Sequence, residues 1–249
     1  MTQKRHRLLF CTSAYLSRKG VPNMEFLTPI LICAAFIFAA YGLMRLSLFL
    51  SNTAARRKIL SYGRASEDAV SALLASHFGV TYVLSNRYLP YRTKNGISFT
   101  EVDCIVILKG KIAVIEVKSL VGSIYNPPSD TWHQSAKMRD GETKELDFFN
   151  PIRQNERHIA ALVGILEKAK ITPKPKIENL VIFTSARAVF TYERQKEIYT
   201  LPEAIKKLKA MNTGRKFRFR DRIKILHTIR KYAKSKRQAM AITGRKRRR

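Results

Sequence analysis

The stretch FTEVDCIVILKGKIAVIEVKS, Phe99–Ser119, decides how this 249-residue chain is read. It holds two runs rich in Val and Ile, Phe99 to Leu108 and Lys111 to Ser119, on either side of Lys109-Gly110, the spacing of two strands joined by a tight turn. A two-residue turn pairs Leu108 with Lys111 and sets Asp103 opposite Glu116. Cross-strand partners share a face with Cβ atoms about 4.5–5.5 Å apart. Lys118, two residues on, points the same way as Glu116, and Glu101 faces Lys118. Two carboxylates side by side repel unless something neutralises them, and their neighbours on that face, Ile105 and Val114, are apolar. A divalent cation removes the repulsion. Mg²⁺ or Mn²⁺ suits the pair, because Mg²⁺ uses one or two carboxylates and fills its other positions with water and substrate phosphate. The chemistry such a site supports is phosphodiester hydrolysis, with Lys118 positioning the attacking water or neutralising the transition state. An isolated Glu-x-Lys on a solvated face would mean nothing. What argues for a site is that Asp103 and Glu116 interrupt two otherwise apolar runs at matching positions.

Outward from this hairpin, Ser66 is expected to cap a helix carrying Ala69, Val70, Leu73, Leu74 and His77, with Glu67 in its first turn. A further strand is expected over Val80 to Tyr91. Asn150-Pro151 reads as the N-cap and first residue of a helix whose apolar side is Ile152, Ile159, Leu162, Val163 and Leu166, with Gln154 and His158 sharing a face four residues apart. Glu178 to Ser185 reads as another strand, and Thr200-Leu-Pro-Glu203 as a capping box before a short basic helix. The order of elements describes an α/β or α+β domain over about 60–210. His158, for which the sequence places no carboxylate partner, is read as an ordinary structural histidine. Trp132, in what reads as a loop, is left between base stacking and core filling.

Glu67, then Thr-Glu-Val-Asp103, then Val-Ile-Glu116-Val-Lys118 with Gly122 shortly after, and Asn150-Pro151-x-x-Gln154-x-x-x-His158 together resemble the nuclease-related domain (NERD) family, a branch of the PD-(D/E)xK nuclease superfamily. The resemblance covers about 60–170. It implies an α/β, restriction-endonuclease-like mixed sheet flanked by helices, with Asp103 and Glu116 as metal ligands, Lys118 as the catalytic lysine, Glu67 as a supporting acid and Gln154 near the site. Val102 stands where many members of the superfamily have proline.

Two further segments bear on function. From Phe26 to Met44 no residue is charged, and with Arg45 and the run Leu46 to Leu50 the stretch is long enough for one transmembrane helix over 26–50, after a basic segment at 1–25. A secretory signal peptide or a buried helix are the alternatives. Basic residues flank the run on both sides, so charge does not set its orientation. Translation from Met24 would remove those before it. The domain is placed in the cytoplasm from its presumed substrate.

The chain carries a formal charge of +29, and Arg215 to Arg249 holds sixteen Lys and Arg against Asp221 alone. This segment, 215–249, reads as a basic amphipathic helix from Asp221 to about Met240, with Ile223, Leu226, Ile229 and Ala233 at helical spacing, and then a tail. Arg215, Lys216, Arg218, Arg220, Arg222, Lys224, Arg230 and Lys231 are the candidate contacts to nucleic acid, DNA first, with Phe217 and Phe219 among them. An anionic membrane surface is the rival partner. Three cysteines without metal-site spacing give neither a disulfide framework nor a zinc site. Three functional classes follow: a membrane-anchored metal-dependent nuclease, an inactive nucleic-acid-binding descendant, and a membrane-surface scaffold.

Overall fold

The computed structural model describes residues 24–138, 141–213 and 217–246, and side chains from Ile32 onward with gaps at 33, 34, 48, 50–60, 62 and 244–246. The chain divides into two compact units, Met1–Ile59 and Leu60–Arg249. α1 spans Met24–Phe78. Within the first unit Ile32, Phe36, Ile37, Phe38, Leu43, Met44, Leu46 and Phe49 are each more than half exposed. Among the described residues no helix is long and apolar enough to cross a membrane. The expected span at 26–50 falls partly on side chains outside the described set.

The second unit is built on a five-stranded mixed sheet. Its strands are β1 (Val83–Thr93), β2 (Gly96–Ile107), β3 (Lys111–Lys118), β7 (Lys176–Phe183) and β9 (Ile198–Thr200), in the order β1-β2-β3-β7-β9. β1, β2 and β3 pair antiparallel, while β7 runs parallel to β3 and β9. β3 is central and buried from Ile112 to Val117, which is why its sequence is a continuous apolar run rather than an alternating one. The mixed sheet flanked by helices expected from sequence is observed. One face is covered by α2 (Pro151–Lys168) and α4 (Phe219–Tyr232), the other by Val70 and Leu74 near the end of α1 and by α3 (Leu201–Met211). α5 (Lys236–Lys246) follows.

Several sequence expectations hold in detail. The β2–β3 turn has two residues, with Ile107 opposite Ile112 and Cys104 opposite Ile115, the register expected. The Asn150 side chain accepts from the N–H groups of Ile152 and Arg153, and the Glu203 carboxylate accepts from the Thr200 N–H. Cys104 is a free, buried thiol, pushed up to about 12 by that burial.

Four expectations are corrected. Ser66 lies inside α1, and its hydroxyl donates to the Gly63 carbonyl, so Glu67 is not at a helix start. The segment taken as a loop around Trp132 forms a second sheet, from β4 (Gly122–Tyr125), β5 (Thr131–Lys137), β6 (Thr143–Phe149) and β8 (Ala188–Phe190), ordered β6-β5-β4-β8. Trp132 is fully buried there and donates to the Pro127 carbonyl, so it fills a core. Gly122 adopts φ +83°, and a Cβ would collide with the backbone of Ser135 and Ala136, which gives the glycine of the motif a steric reason. The face that α2 buries includes Asn155 and His158, while Ile159 and Val163 are only half-buried.

The fourth correction concerns the basic segment. The expected helix from Asp221 to about Met240 is broken between Tyr232 and Lys236, and Ile225, Leu226 and Ile229 are buried in the core that α2 and the sheet share. Packing of the central domain therefore continues past residue 210. If α4 is core, Ile229→Ala removes buried methylenes and is expected to cost about 2–5 kcal/mol. Urea denaturation measures this as a lower midpoint at unchanged slope, and a loss under about 0.5 kcal/mol would return α4 to a surface appendage.

Candidate active site

The site forms where β2 parts from β3. The ladder ends at Cys104–Ile115, and the next N–H on that side of β3, from Val117, donates not to a β2 carbonyl but to Asp103 Oδ2 at 2.8 Å. On its other side β2 pairs with β1 at Cys104–Ser85 and Val102–Arg87, and the intervening pair of Asp103 with Asn86 is missing from that ladder too. Asn86 has φ +52°, a conformation Asn tolerates better than most residues. Burial switches faces here: Leu89 and Val102 pack in the α2 core on one side of the break, and Leu84, Ile105 and Ile107 on the other, an odd step in a period of two. Asp103 thus occupies a kink that opens a wedge between the two strands.

Glu116 and Lys118 sit on β3 facing α2. Lys118 Nζ donates to Glu116 Oε1 at 2.7 Å and to Gln154 Oε1 at 3.1 Å, so the lysine is oriented from two sides. His158, one turn along α2 from Gln154, shares a proton with Thr100 Oγ1 through Nδ1 at 2.7 Å and brings Nε2 to 3.4 Å from Glu116 Oε2. Glu116 is 2% exposed and His158 3%, yet Glu116 Oε2 and His158 Nε2 both lack a hydrogen-bond partner. The carboxylate partner that sequence reasoning could not place is therefore Glu116, and His158 belongs to the site. The signal was available in the four-residue spacing from Gln154, on the helix face that Asn150 starts. Asn155, also missed, fixes that face: its buried amide donates toward the Val114 and Leu180 carbonyls and Asn179 Oδ1.

Burial is the first reason that Asp103 is pushed up to about 8, and the charge of Glu116 is the second. The Val117 N–H and Lys118 pull the other way. Glu67 is raised as well, by burial first and then by the charges of Glu101 and Glu116, which puts this α1 carboxylate in the same acidic group. Glu101 does not face Lys118 as the sequence suggested. With the strands parted it pairs with Tyr88 of β1, whose hydroxyl donates to it and is raised in turn, chiefly by burial.

Such a group fits a cation. A buried carboxylate oxygen without a hydrogen-bond partner, beside a second buried acid whose ionised form is disfavoured by burial and by the Glu116 charge, is the arrangement a divalent ion would relieve. Among the described residues no group of three or more His, Cys, Asp or Glu is placed to hold a metal ion; Mg²⁺ is commonly held by one or two carboxylates with water and phosphate in its other positions.

Of the basic candidates, Arg215 and Lys216 lie outside the described residues. Arg218, Arg220, Lys224, Arg230 and Lys231 are exposed, and Arg230 also donates to the Thr81 carbonyl. Arg222 is structural: it stacks 3.3 Å over the Tyr82 ring and donates to the Ile107 carbonyl at 2.7 Å, so its charge is committed. Phe217 packs on the core and Phe219 is exposed.

Residues 62–184 match the model of NERD, the nuclease-related domain. An uncharacterized protein of Bacillus anthracis is 27% identical over 138 residues, which are 52% of this chain and 62% of the relative. The chain thus spans about three fifths of that relative. No solved structure matches.

Burial and the charge of Glu116 push Asp103 up to about 8 in the folded protein, whereas an unfolded chain releases this proton near pH 4. Folding therefore takes up a proton in that window, and the metal-free protein is expected to lose stability as pH rises through it. Asp103→Asn cannot ionise and should remove this component. Thermal midpoints in EDTA, taken across the window, are expected to fall less steeply for the variant than for the parent. Parallel curves would exclude the buried, proton-holding carboxyl.

Proposed function

With a nuclease-related domain over residues 62–184 as the premise, we propose that the chain is a divalent-metal-dependent phosphodiester hydrolase of PD-(D/E)xK type, with a restriction-endonuclease-like core, acting on DNA. The observation that carries this reading is the 2% exposed carboxylate of Glu116 beside Asp103, with Lys118 held against Oε1 at 2.7 Å and Oε2 left without a hydrogen-bond partner. Asp103 and Glu116 would hold Mg²⁺ or Mn²⁺. When bound, the ion supplies an acidified water and a positive charge against the scissile phosphate.

The chain's own residues do the rest. The Val117 N–H fixes one oxygen of Asp103 and leaves the other free. Gln154 and Glu116 hold the Lys118 ammonium in place, where its charge can meet charge developing on phosphate oxygens. Thr100 orients the His158 ring. Glu67 supports the site through charge. Exposed Arg218, Arg220, Lys224 and Lys231 add a sequence-independent attraction to the polyanion.

The purified chain is expected to cut DNA only with Mg²⁺ or Mn²⁺, with linear, circular and single-stranded DNA and RNA tested in parallel. Asp103→Ala and Glu116→Ala should abolish cutting, and Lys118→Ala should slow it by about 100-fold or more. Metal-independent cutting, or equal cutting by the variants, would overturn the assignment. Salt-sensitive binding without cutting would favour an inactive nucleic-acid-binding descendant.

The same proposal includes a membrane anchor in the first unit, with the nuclease-like domain in the cytoplasm. Its support is the uncharged run Phe26 to Met44 and the exposed apolar side chains between Ile32 and Phe49. The full chain is expected to stay with vesicles through a wash in concentrated salt, which strips proteins held by charge alone. Release in that wash would reduce the association to the basic surface.

A further inference from the structure

A cavity of about 790 Å³ lies between the β1–β2 hairpin and α2, and shares Thr100, Gln154 and His158 with the candidate site. Tyr91, Arg92 and Phe99 of the hairpin line it, and Gln154, Arg157 and His158 of α2 line the opposite wall. Its lining is mixed. It includes the Lys118-bound Gln154 and the buried His158, whose Nε2 lacks a hydrogen-bond partner. Two exposed guanidinium groups line it as well. Among the described residues neither Arg92 nor Arg157 is paired with a carboxylate, and Arg157 is held over the Phe149 ring, 4.2 Å from its centroid. Tyr91 is 41% exposed, and Phe99 is half-buried. Glu101 also lines the cavity; Tyr88 donates to it and Glu67 feels its charge.

Arginines without a carboxylate partner and accessible aromatic rings, in a groove that shares Glu101, Gln154 and His158 with the site's surroundings, match the chemistry of an unpaired nucleic-acid strand: phosphates on guanidinium groups, a base on an aromatic face. The volume lies within the range of pockets that enclose small ligands, about 300–1,000 Å³. It suits unstacked nucleotides and not a duplex. We infer that this groove is the track for a single strand, with Arg92 and Arg157 on its phosphates, Tyr91 and Phe99 against a base, and Gln154 and His158 where the strand meets Glu116 and Lys118. The last clause rests on the nuclease reading; strand binding does not.

The test uses the full chain in detergent micelles with EDTA, so that binding is read without cleavage. The probe is a fluorescein-labelled single-stranded DNA of about 12 nucleotides, within the site sizes of single-strand binders, beside its duplex. Arg92→Gln with Arg157→Gln is expected to weaken single-strand binding about tenfold and to lower the salt slope by about 1.4, the value for two lost phosphate contacts. Tyr91→Ala should weaken it about tenfold without changing the slope. A 5-iodouracil-substituted strand, cross-linked by light, should label peptides within 91–99 or 154–161. Unchanged affinity and slope in the double arginine variant, or cross-links confined to 217–246, would overturn the groove. Loss of binding in that variant, in a chain that never cuts, would leave the groove standing and remove the nuclease reading. Cutting by the parent with unchanged binding by the variant would do the reverse.

Discussion

One hydrogen bond organises the candidate site: the Val117 N–H donates to the Asp103 carboxylate where a β2 carbonyl would otherwise accept it. A side chain in a ladder position ends the pairing of β2 with β3 and holds them apart while both stay covered by helices. The parted strands leave Glu116 buried beside Asp103 without a protein partner for one oxygen. Unpaired buried charge is costly. Here the cost is lowered by holding a proton on Asp103 and by bringing Lys118 and His158 to Glu116. The same wedge would accept a cation, so the tension in the metal-free site and its fitness for metal have one origin.

α2 is the second wall, and its polar residues divide the labour along one face. Asn150 starts the helix, Asn155 ties it to the backbone of β3 and β7, and Gln154 and His158 meet Lys118 and Glu116. A helix anchored by a buried amide has little freedom to rotate, which keeps site residues from two elements in register. The turn into β4 at Gly122 and the second sheet then cover the region after Lys118, with Ile124 and Trp132 packing on Val181 and Phe183.

The basic character of the chain serves more than one purpose. Arg222 spends its guanidinium on a carbonyl and an aromatic ring, and α4 presents Ile225, Leu226 and Ile229 to the core while its exposed face keeps Lys224, Arg230 and Lys231. A high local charge is thus compatible with a structural helix, because long basic side chains lie along the surface with their heads in water.

Much of this was legible in the chain itself. Local chemistry determined the two-residue turn at Lys109-Gly110, the register that follows from it, the Asn150 and Thr200 helix starts, and the buried central strand, because each depends on residues within a few positions of one another. The assembly of Asp103, Glu116 and Lys118 was likewise approachable from period and spacing, and the place of Gln154 from the family resemblance. Tertiary structure alone decided the rest. The kink at Asn86 and Asp103, the pairing of His158 with Glu116, the turn of Glu101 toward Tyr88, the second sheet around Trp132 and the burial of α4 all join residues far apart in sequence. Their energies come from burial and from partners that no local pattern announces, so a charged segment could read as a tail and still complete the core.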